Sequence, residues 1–468
     1  MFPAPATSSA TGSLPAFIRA WLLRLQKRII LSSVALPEVS HKLQDEHLPP
    51  AQRLPDEVIL EILGYIIPAV RDTSFPSSPA ENSAVSITQT LARHQTYLAW
   101  ASRTCRGWYS AGTEVLYASP LLLTTRKMEL FERTLSNEPS LSRFVKAIYA
   151  PIHTGTATSE LLAWVFGRRT PAVQKAELST MLQHCPAVRT LTIRHTVRKG
   201  AVSSLPVQDV LRAADVAARL EALTLHGSTF EARWNPQFCV LTAFADTLLP
   251  ALRVLCLRGL YVLPSLRLPP LPRLHTLRLA ANHYFGAGPY FRAAQLPALR
   301  TLELEEHSAR EAQLKLASLV DEECILRLQR LRVVQDERCM VATRALPADG
   351  ELRALEIGML APRDHTDTVC WCIPASLESL TFIVGAEAGV DVEDCLDAIF
   401  RCLRLNEEAK KLKEVAVVYN LAREAPRLDI LENTLEELRA LCRNRDISFR
   451  TEALHAEDTL IAQTPHLR

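Results

Sequence analysis

The sequence predicts an α/β protein: an N-terminal helical module followed by a repeat solenoid with parallel strands inside and helices outside. Three observations predict it. A pattern of the form L-x-x-L-x-L recurs nine times after about residue 185. Leucine makes up roughly one residue in six, within an ordinary balance of 48% hydrophobic and 22% charged residues. Between residues 54 and 150 the apolar positions recur instead at three- and four-residue steps, the spacing of a helix face. A length of 468 residues allows about three domains, or fewer where one is a repeat array.

Residues 1–53 are expected to be a flexible region carrying an amphipathic basic helix. Up to Val34 this region is rich in Ser, Thr and Ala, has no acidic residue, and places Phe17, Trp21, Leu25 and Ile29 at helical spacing beside Arg19, Arg24, Lys27 and Arg28. Two readings stay open: an accessory helix that packs on the body of a cytoplasmic and/or nuclear protein, or a mitochondrial transit peptide. Those four basic residues interrupt the longest apolar stretch, Phe17 to Leu36, so no membrane span is expected. No secretory signal is expected either, because the first 16 residues lack a positive side chain. A polar, Pro-rich linker follows at 37–53.

The segment LPDEVILEILGYIIPAV, 54–70, predicts a helix. Leu54, Val58, Ile62 and Ile66 stand four apart with Ile59 and Leu63 alongside, Pro55 suits the first turn, and Pro68 marks the end. After an insertion at about 71–95, the stretch TYLAWASRTCRGWYSAGTEVLY predicts a second helix, and Lys127 to Leu135 a third. The helical module is bounded at 54–120, and 121–184 reads as a helical connector.

From 185 to 452 the repeat takes over, with a frayed tail at 453–468. Its copies run from Val188, Leu191 and Ile193 through Leu220/Leu223/Leu225, Leu252/Leu255/Leu257, Leu274/Leu277/Leu279 and Leu299/Leu302/Leu304. They continue as Leu328/Leu331/Val333, Leu352/Leu355/Ile357, Leu377/Leu380/Phe382 and Leu412/Val415/Val417. Steps of 22 to 35 residues between middle positions fall in and above the range of leucine-rich repeats. The last two apolar positions of each copy alternate with polar ones, so a short strand turns both into a core that only stacked copies can close. Glu306 to Leu319 and Asp391 to Arg404 are expected as outer helices, Leu428, Leu431, Leu435 and Leu438 as another, and DISFRTE as a last strand. An Asn closing the repeat is found at Asn282 and Asn420, so the array is irregular.

The N-terminal motifs are similar to the F-box, a short helical module with the pattern L-P-x-E-h-h-x-x-I-h and a later C-R-x-W. Leu54, Pro55, Glu57, Val58, Ile59, Ile62 and Leu63 match its first part, and Leu98, Cys105, Arg106 and Trp108 its second. Together with the irregular leucine-rich repeats, the layout resembles fungal F-box proteins. That resemblance implies docking on a Skp-type adaptor through Leu54, Pro55, Val58, Ile59, Ile62, Leu63, Leu98, Cys105 and Trp108, and through the adaptor a link to cullin and RING subunits of a ubiquitin ligase. It implies that the repeats capture a protein target. The insertion departs from the family pattern. The alternative is a leucine-rich-repeat interaction scaffold with no ubiquitin link, its first helices merely capping the array.

No enzyme chemistry is expected. Cys370 and Cys372 lack a second pair for zinc, with His365 alone beside them. His184 and Cys185 are neighbours in sequence, which does not make a nucleophile and base face each other. Gly286 and Gly288 lack the third Gly of a nucleotide loop. Thus no catalytic residue, metal or cofactor is expected. The 53 basic against 51 acidic residues argue against a phosphate-driven nucleic-acid binder, and the 11 scattered Cys read as thiols of a reduced compartment. The candidate target-binding residues alternate with the core pairs on the concave side: Arg194, His226, Arg258 and Arg278 as a basic column, then Glu303, Glu305 and Glu356 as an acidic one.

Overall fold

The structure, a computed structural model, describes residues 58–60, 63, 95–96, 98–100, 102–103, 106–122, 125–154, 175–197, 202–204, 210–211, 216–227, 238–241, 248–262, 266, 268–280, 282–284, 289–306, 316–335, 346–347, 349–359, 373–384, 392–406, 409–421 and 428–455. All belong to one compact unit, Pro55–Arg468. The expected N-terminal basic helix and linker lie outside them, as do the insertion short of Gln95 and the C-terminal tail beyond 455; residues 453–455, expected to fray, are strand.

Residues 58–60 and 63 are helical, as are 95–96 and 98–100. The stretch expected as a second continuous helix is instead broken by a turn at 102–103 and resumes as α1, Arg106–Ala118. The Ser102 hydroxyl donates to the Ala99 carbonyl at 3.0 Å while the Arg103 N–H donates to Trp100, bonds that compete with helix continuation. A Cβ on Gly112 of α1 would meet the Ser102 Cβ at 2.4 Å, so the turn and α1 touch backbone to backbone. Helix α2, Thr125–Asn137, buries Met128, Phe131 and Leu135 on one stripe, and Phe131 stacks on Tyr117 of α1 with ring centroids 5.9 Å apart.

The region expected to be a wholly helical connector contains a strand. After a 3₁₀ turn, Pro139–Phe144, the chain forms β1, Ala147–Thr154, and then α3, Lys175–Gln183. Val145, Ile148 and Ala150 are buried and hold the positions of a tenth repeat, with Ala where later copies have a large side chain.

The remaining strands are β2, Thr190–Val197; β3, Val202–Ser204; β4, Ala222–Gly227; β5, Phe238–Leu241; β6, Val254–Arg258; β7, Tyr261–Val262; β8, Thr276–Ala280; β9, His283–Tyr284; and β10, Thr301–Glu306. Next come α4, Leu316–Leu319, and α5, Glu322–Leu326, whose first turn is capped by the Asp321 carboxylate accepting from the Cys324 N–H at 3.1 Å. Glu306, expected to start a helix, ends β10. Then follow β11, Arg330–Gln335; β12, Ala354–Met359; β13, Ser379–Val384; α6, Val392–Leu405; β14, Glu414–Leu421; α7, Leu428–Asn444; and β15, Ser448–His455.

Eleven strands form one sheet in the order β1-β2-β4-β6-β8-β10-β11-β12-β13-β14-β15, and every pairing is parallel. The protein is thus a mixed α/β fold built on a large parallel sheet. A second sheet, β3-β5-β7-β9, forms from short strands beyond the first, which no periodicity in the sequence announces. All nine repeat copies bury their three apolar positions, and these residues belong to one continuous core running from Leu122 to Cys442. Strands such as β4 and β13 alternate half-buried and buried residues, so only one face of the sheet is packed. Asn282 closes a turn as expected: its Nδ2 donates to the Leu257 carbonyl at 2.8 Å and its Oδ1 accepts from the Leu260 N–H at 3.0 Å. The side chain of Asn420 lies outside the described residues. Among the described residues no helix is long and apolar enough to cross a membrane.

Candidate protein-interaction surfaces

The N-terminal helices divide the expected docking set. Leu54, Pro55, Ile62 and Cys105 lie outside the described residues. Ile59, Leu63 and Leu98 do not present a surface: they are 1%, 0% and 0% exposed. An apolar side chain already removed from water by its own chain has little left to gain from a partner. Val58 and Trp108 are half-buried. Two aromatics that the motif did not point to are open to solvent instead, Trp100 at 62% and Tyr109 at 63% exposure. Neither periodicity nor motif spacing singles them out. A large aromatic left in water on a helix is the usual raw material of an interface anchor.

On the sheet, register decides the far face, the one turned away from the core. One row runs Thr190, Ala222, Val254, Thr276, Thr301, Arg330, Ala354, Ser379, Glu414. The middle row runs Thr192, Thr224, Cys256, Arg278, Glu303, Arg332, Glu356, Thr381, and the next Arg194, His226, Arg258, Ala280, Glu305, Val334, Gly358. Arg194, His226 and Arg258 share a row, as expected. Arg278 does not join them: it sits one row earlier, level with Glu303, while Ala280 takes its place beside Arg258.

The expected basic and acidic columns are therefore a ladder of alternating charge in the middle row. Arg278 Nε lies 2.9 Å from Glu303, and Arg332 Nε 3.0 Å from Glu356, whose other oxygen accepts from Arg330 at 3.1 Å. Neither Nε–H makes a directed hydrogen bond, so the attraction there is that of an ion pair. Glu303 is buried, and its charge is tolerated in that position because Arg278 stands against it. Arg332 was missing from the expected set, although it holds the same position in LQRLRV that Arg278 holds in LHTLRL. The side chain of Glu305 lies outside the described residues. In the neighbouring row, burial first, then the positive charges of Arg258 and Arg194, push the pKa of His226 down to about 3, which keeps it neutral.

Little of the remaining chemistry forms a site. Burial pushes the Cys185 thiol up to about 12, and Cys324 and Cys442 are raised to about 12 and about 11 for the same first cause, so these sulfurs are packing groups. His184 is exposed beside the buried Cys185. Among the described residues no group of three His, Cys, Asp or Glu could hold a metal ion. Cys370, Cys372, His365, Gly286 and Gly288 lie outside them. No protein-family model matches the chain, and a search of curated proteins finds no match either.

Proposed function

We propose that this chain is a non-catalytic substrate-recognition subunit of a cullin–RING ubiquitin ligase. Its N-terminal helices dock on a Skp-type adaptor in the manner of an F-box, and its sheet, an irregular leucine-rich-repeat solenoid, holds a protein target. The observation that carries the reading is the single-sided, in-register parallel sheet built from the nine sequence copies, coupled to helices with an F-box-like motif. The coupling is direct: the Lys146 N–H donates to the Ala118 carbonyl at the end of α1, and Leu121 bridges Tyr149 of β1. With Ile59, Leu63 and Leu98 committed to the interior, Trp100 and Tyr109 serve as docking anchors alongside Val58 and Trp108.

The test is co-expression with a Skp-type adaptor followed by size-exclusion chromatography. The complex co-elutes, and Trp100→Ala with Tyr109→Ala lowers adaptor affinity about 10- to 100-fold at unchanged circular dichroism. Failure of the wild-type chain to bind, under conditions where a known F-box protein binds, would end this reading. The packing of Tyr117 against the core of the sheet favours a second one: an interaction scaffold with no ubiquitin link, whose first helices cap the array.

A further inference from the structure

Where each strand of the large sheet begins, one residue forms a rim, in the order Lys146, Arg189, Glu221, Arg253, His275, Arg300, Gln329, Arg353, Glu378, Lys413. The backbone fixes this order. Each rim carbonyl from Lys146 to Glu378 accepts two N–H groups from the next chain segment, as the Arg253 carbonyl does from His275 at 2.9 Å and Thr276 at 3.0 Å. With strands about 4.8 Å apart, the ten positions span about 43 Å. Lys146, Arg189, Arg253, His275, Arg353 and Lys413 are exposed and Arg300 is half-buried.

The two acidic members stand near the ends. Glu221 lies 3.7 Å from Arg189, and Glu378 accepts from Lys413 at 2.7 Å. Between them, Arg253, His275, Arg300, Gln329 and Arg353 form a run about 19 Å long with no carboxylate at any rim position. The middle row of the far face neutralises itself, Arg278 with Glu303 and Arg332 with Glu356; the rim run has carboxylates only at its two flanks, where Glu221 is paired with Arg189 and Glu378 with Lys413. Guanidinium groups repeated along a fixed edge are matched by carboxylates repeated along an extended chain.

We propose that this rim binds an extended acidic peptide segment, rich in Glu and Asp, laid across the strand starts of β6 to β12. The inference rests on the target-capture half of the reading above and names the chemistry of what is captured. A single-stranded nucleic acid is the poorer fit, since among the rim and the adjoining row from Thr190 to Glu414 the imidazole of His275 is the one ring on which a base could stack, and successive bases need a series of them.

The test uses the full chain and a fluorescein-labelled glutamate-rich 12-residue peptide in an anisotropy titration, with the all-glutamine counterpart, a 12-nucleotide single strand and phosphatidylserine vesicles as comparisons. Binding to the glutamate peptide weakens with salt, and Arg253→Glu with Arg353→Glu lowers affinity about tenfold or more. Arg253→Gln with Arg353→Gln repeats the loss in a milder form, should charge reversal disturb the fold. Arg401→Glu with Arg404→Glu, a charge-matched change on α6, leaves binding unchanged. Equal loss in that control, no binding by the wild-type chain, or tighter binding of the oligonucleotide or vesicles each overturns the proposal. Adaptor co-elution is measured on the same preparation. Adaptor binding without peptide binding defeats the rim assignment alone, and peptide binding without adaptor binding defeats the docking assignment alone.

Discussion

The large sheet and the helices before it bury similar side chains by different means. In the sheet, each leucine packs against equivalents on the strands to either side, and the result is one continuous core from Leu122 to Cys442. Ile59, Leu63 and Leu98 are as deeply buried, yet none is part of that core. What ties the helices together is local: the close approach of Gly112 to Ser102, and the Gln95 side chain donating to the Ser119 carbonyl at 3.0 Å. Stacked repeats share their stability with neighbours, whereas a small helical cluster must hold itself together.

Equal deletions in the two regions should therefore have unequal reach. Leu277→Ala, in the middle of the sheet, costs about 3 to 5 kcal/mol, and the loss appears as reduced hydrogen-exchange protection in several strands on each side. Leu63→Ala costs about 2 to 3 kcal/mol and reduces protection in α1 while leaving β8 to β12 unchanged. Hydrogen exchange followed by mass spectrometry checks both. Equal loss of protection across β8 to β12 in the Leu63 variant would break the comparison, because the helices and sheet would then open as one unit.

Gly112→Ala sharpens it at smaller cost. The new methyl would meet the Ser102 Cβ at 2.4 Å and Cα at 2.8 Å, so the turn or α1 has to move. The expected loss is about 1 to 3 kcal/mol, confined to the helices. Hydrogen exchange followed by mass spectrometry reads it in α1, while protection in β8 to β12 holds. A variant as stable as the wild-type chain would show that the helix pair is loosely joined.

How far the molecule was legible in its sequence follows from the same contrast. The nine copies from Val188 to Val417 were legible because each strand repeats one pattern of burial and so repeats one pattern of leucines. The strand at 147–154 escaped because Ala150 fills a place where later copies carry a large residue. The pairing of Arg278 with Glu303 was legible, because both hold the fifth position of their copies, LHTLRL and LRTLEL, and the strands align by that position whatever the length of the connection; taking two outward residues per copy without fixing their place in the motif put Arg278 beside Arg258, which stands two residues further on. In the helices, apolar spacing identifies a stripe without saying which molecule covers it. Thus Ile59 and Leu63 looked the same as Val58, and Trp100, outside any motif position, was passed over.

The charge ladder of the middle row gives an effect smaller than either packing change. Glu303→Gln leaves Arg278, itself about three-quarters withdrawn from water, without its counter-charge. After allowance for solvent screening the loss is about 1 to 2 kcal/mol, and it vanishes in the background of Arg278→Met. A double-mutant cycle by urea unfolding measures the coupling. Zero coupling would mean that the two charges are solvated independently, and the self-neutralised row would no longer differ from the rim.

The smallest effect tests the rim directly, through a titration instead of a stability. The Lys413 ammonium, by hydrogen bond and by charge, holds the Glu378 carboxyl below the usual carboxylate range, and the more distant charges of Arg353 and Lys411 add to it. A folded-state value lowered in this way contributes stability that is present above the unfolded carboxylate pKa and lost as pH falls through the folded one. Carboxyl carbon NMR of the Lys413→Met variant should show Glu378 titrating higher than in the wild-type chain, because the first and largest cause is gone. It should still titrate below an isolated glutamate, because Arg353 remains beside it on the rim and Lys411 remains near it. Complete return to the ordinary value would mean that rim charges one strand apart do not feel one another, and a row of such charges would then have no collective field with which to hold an acidic chain.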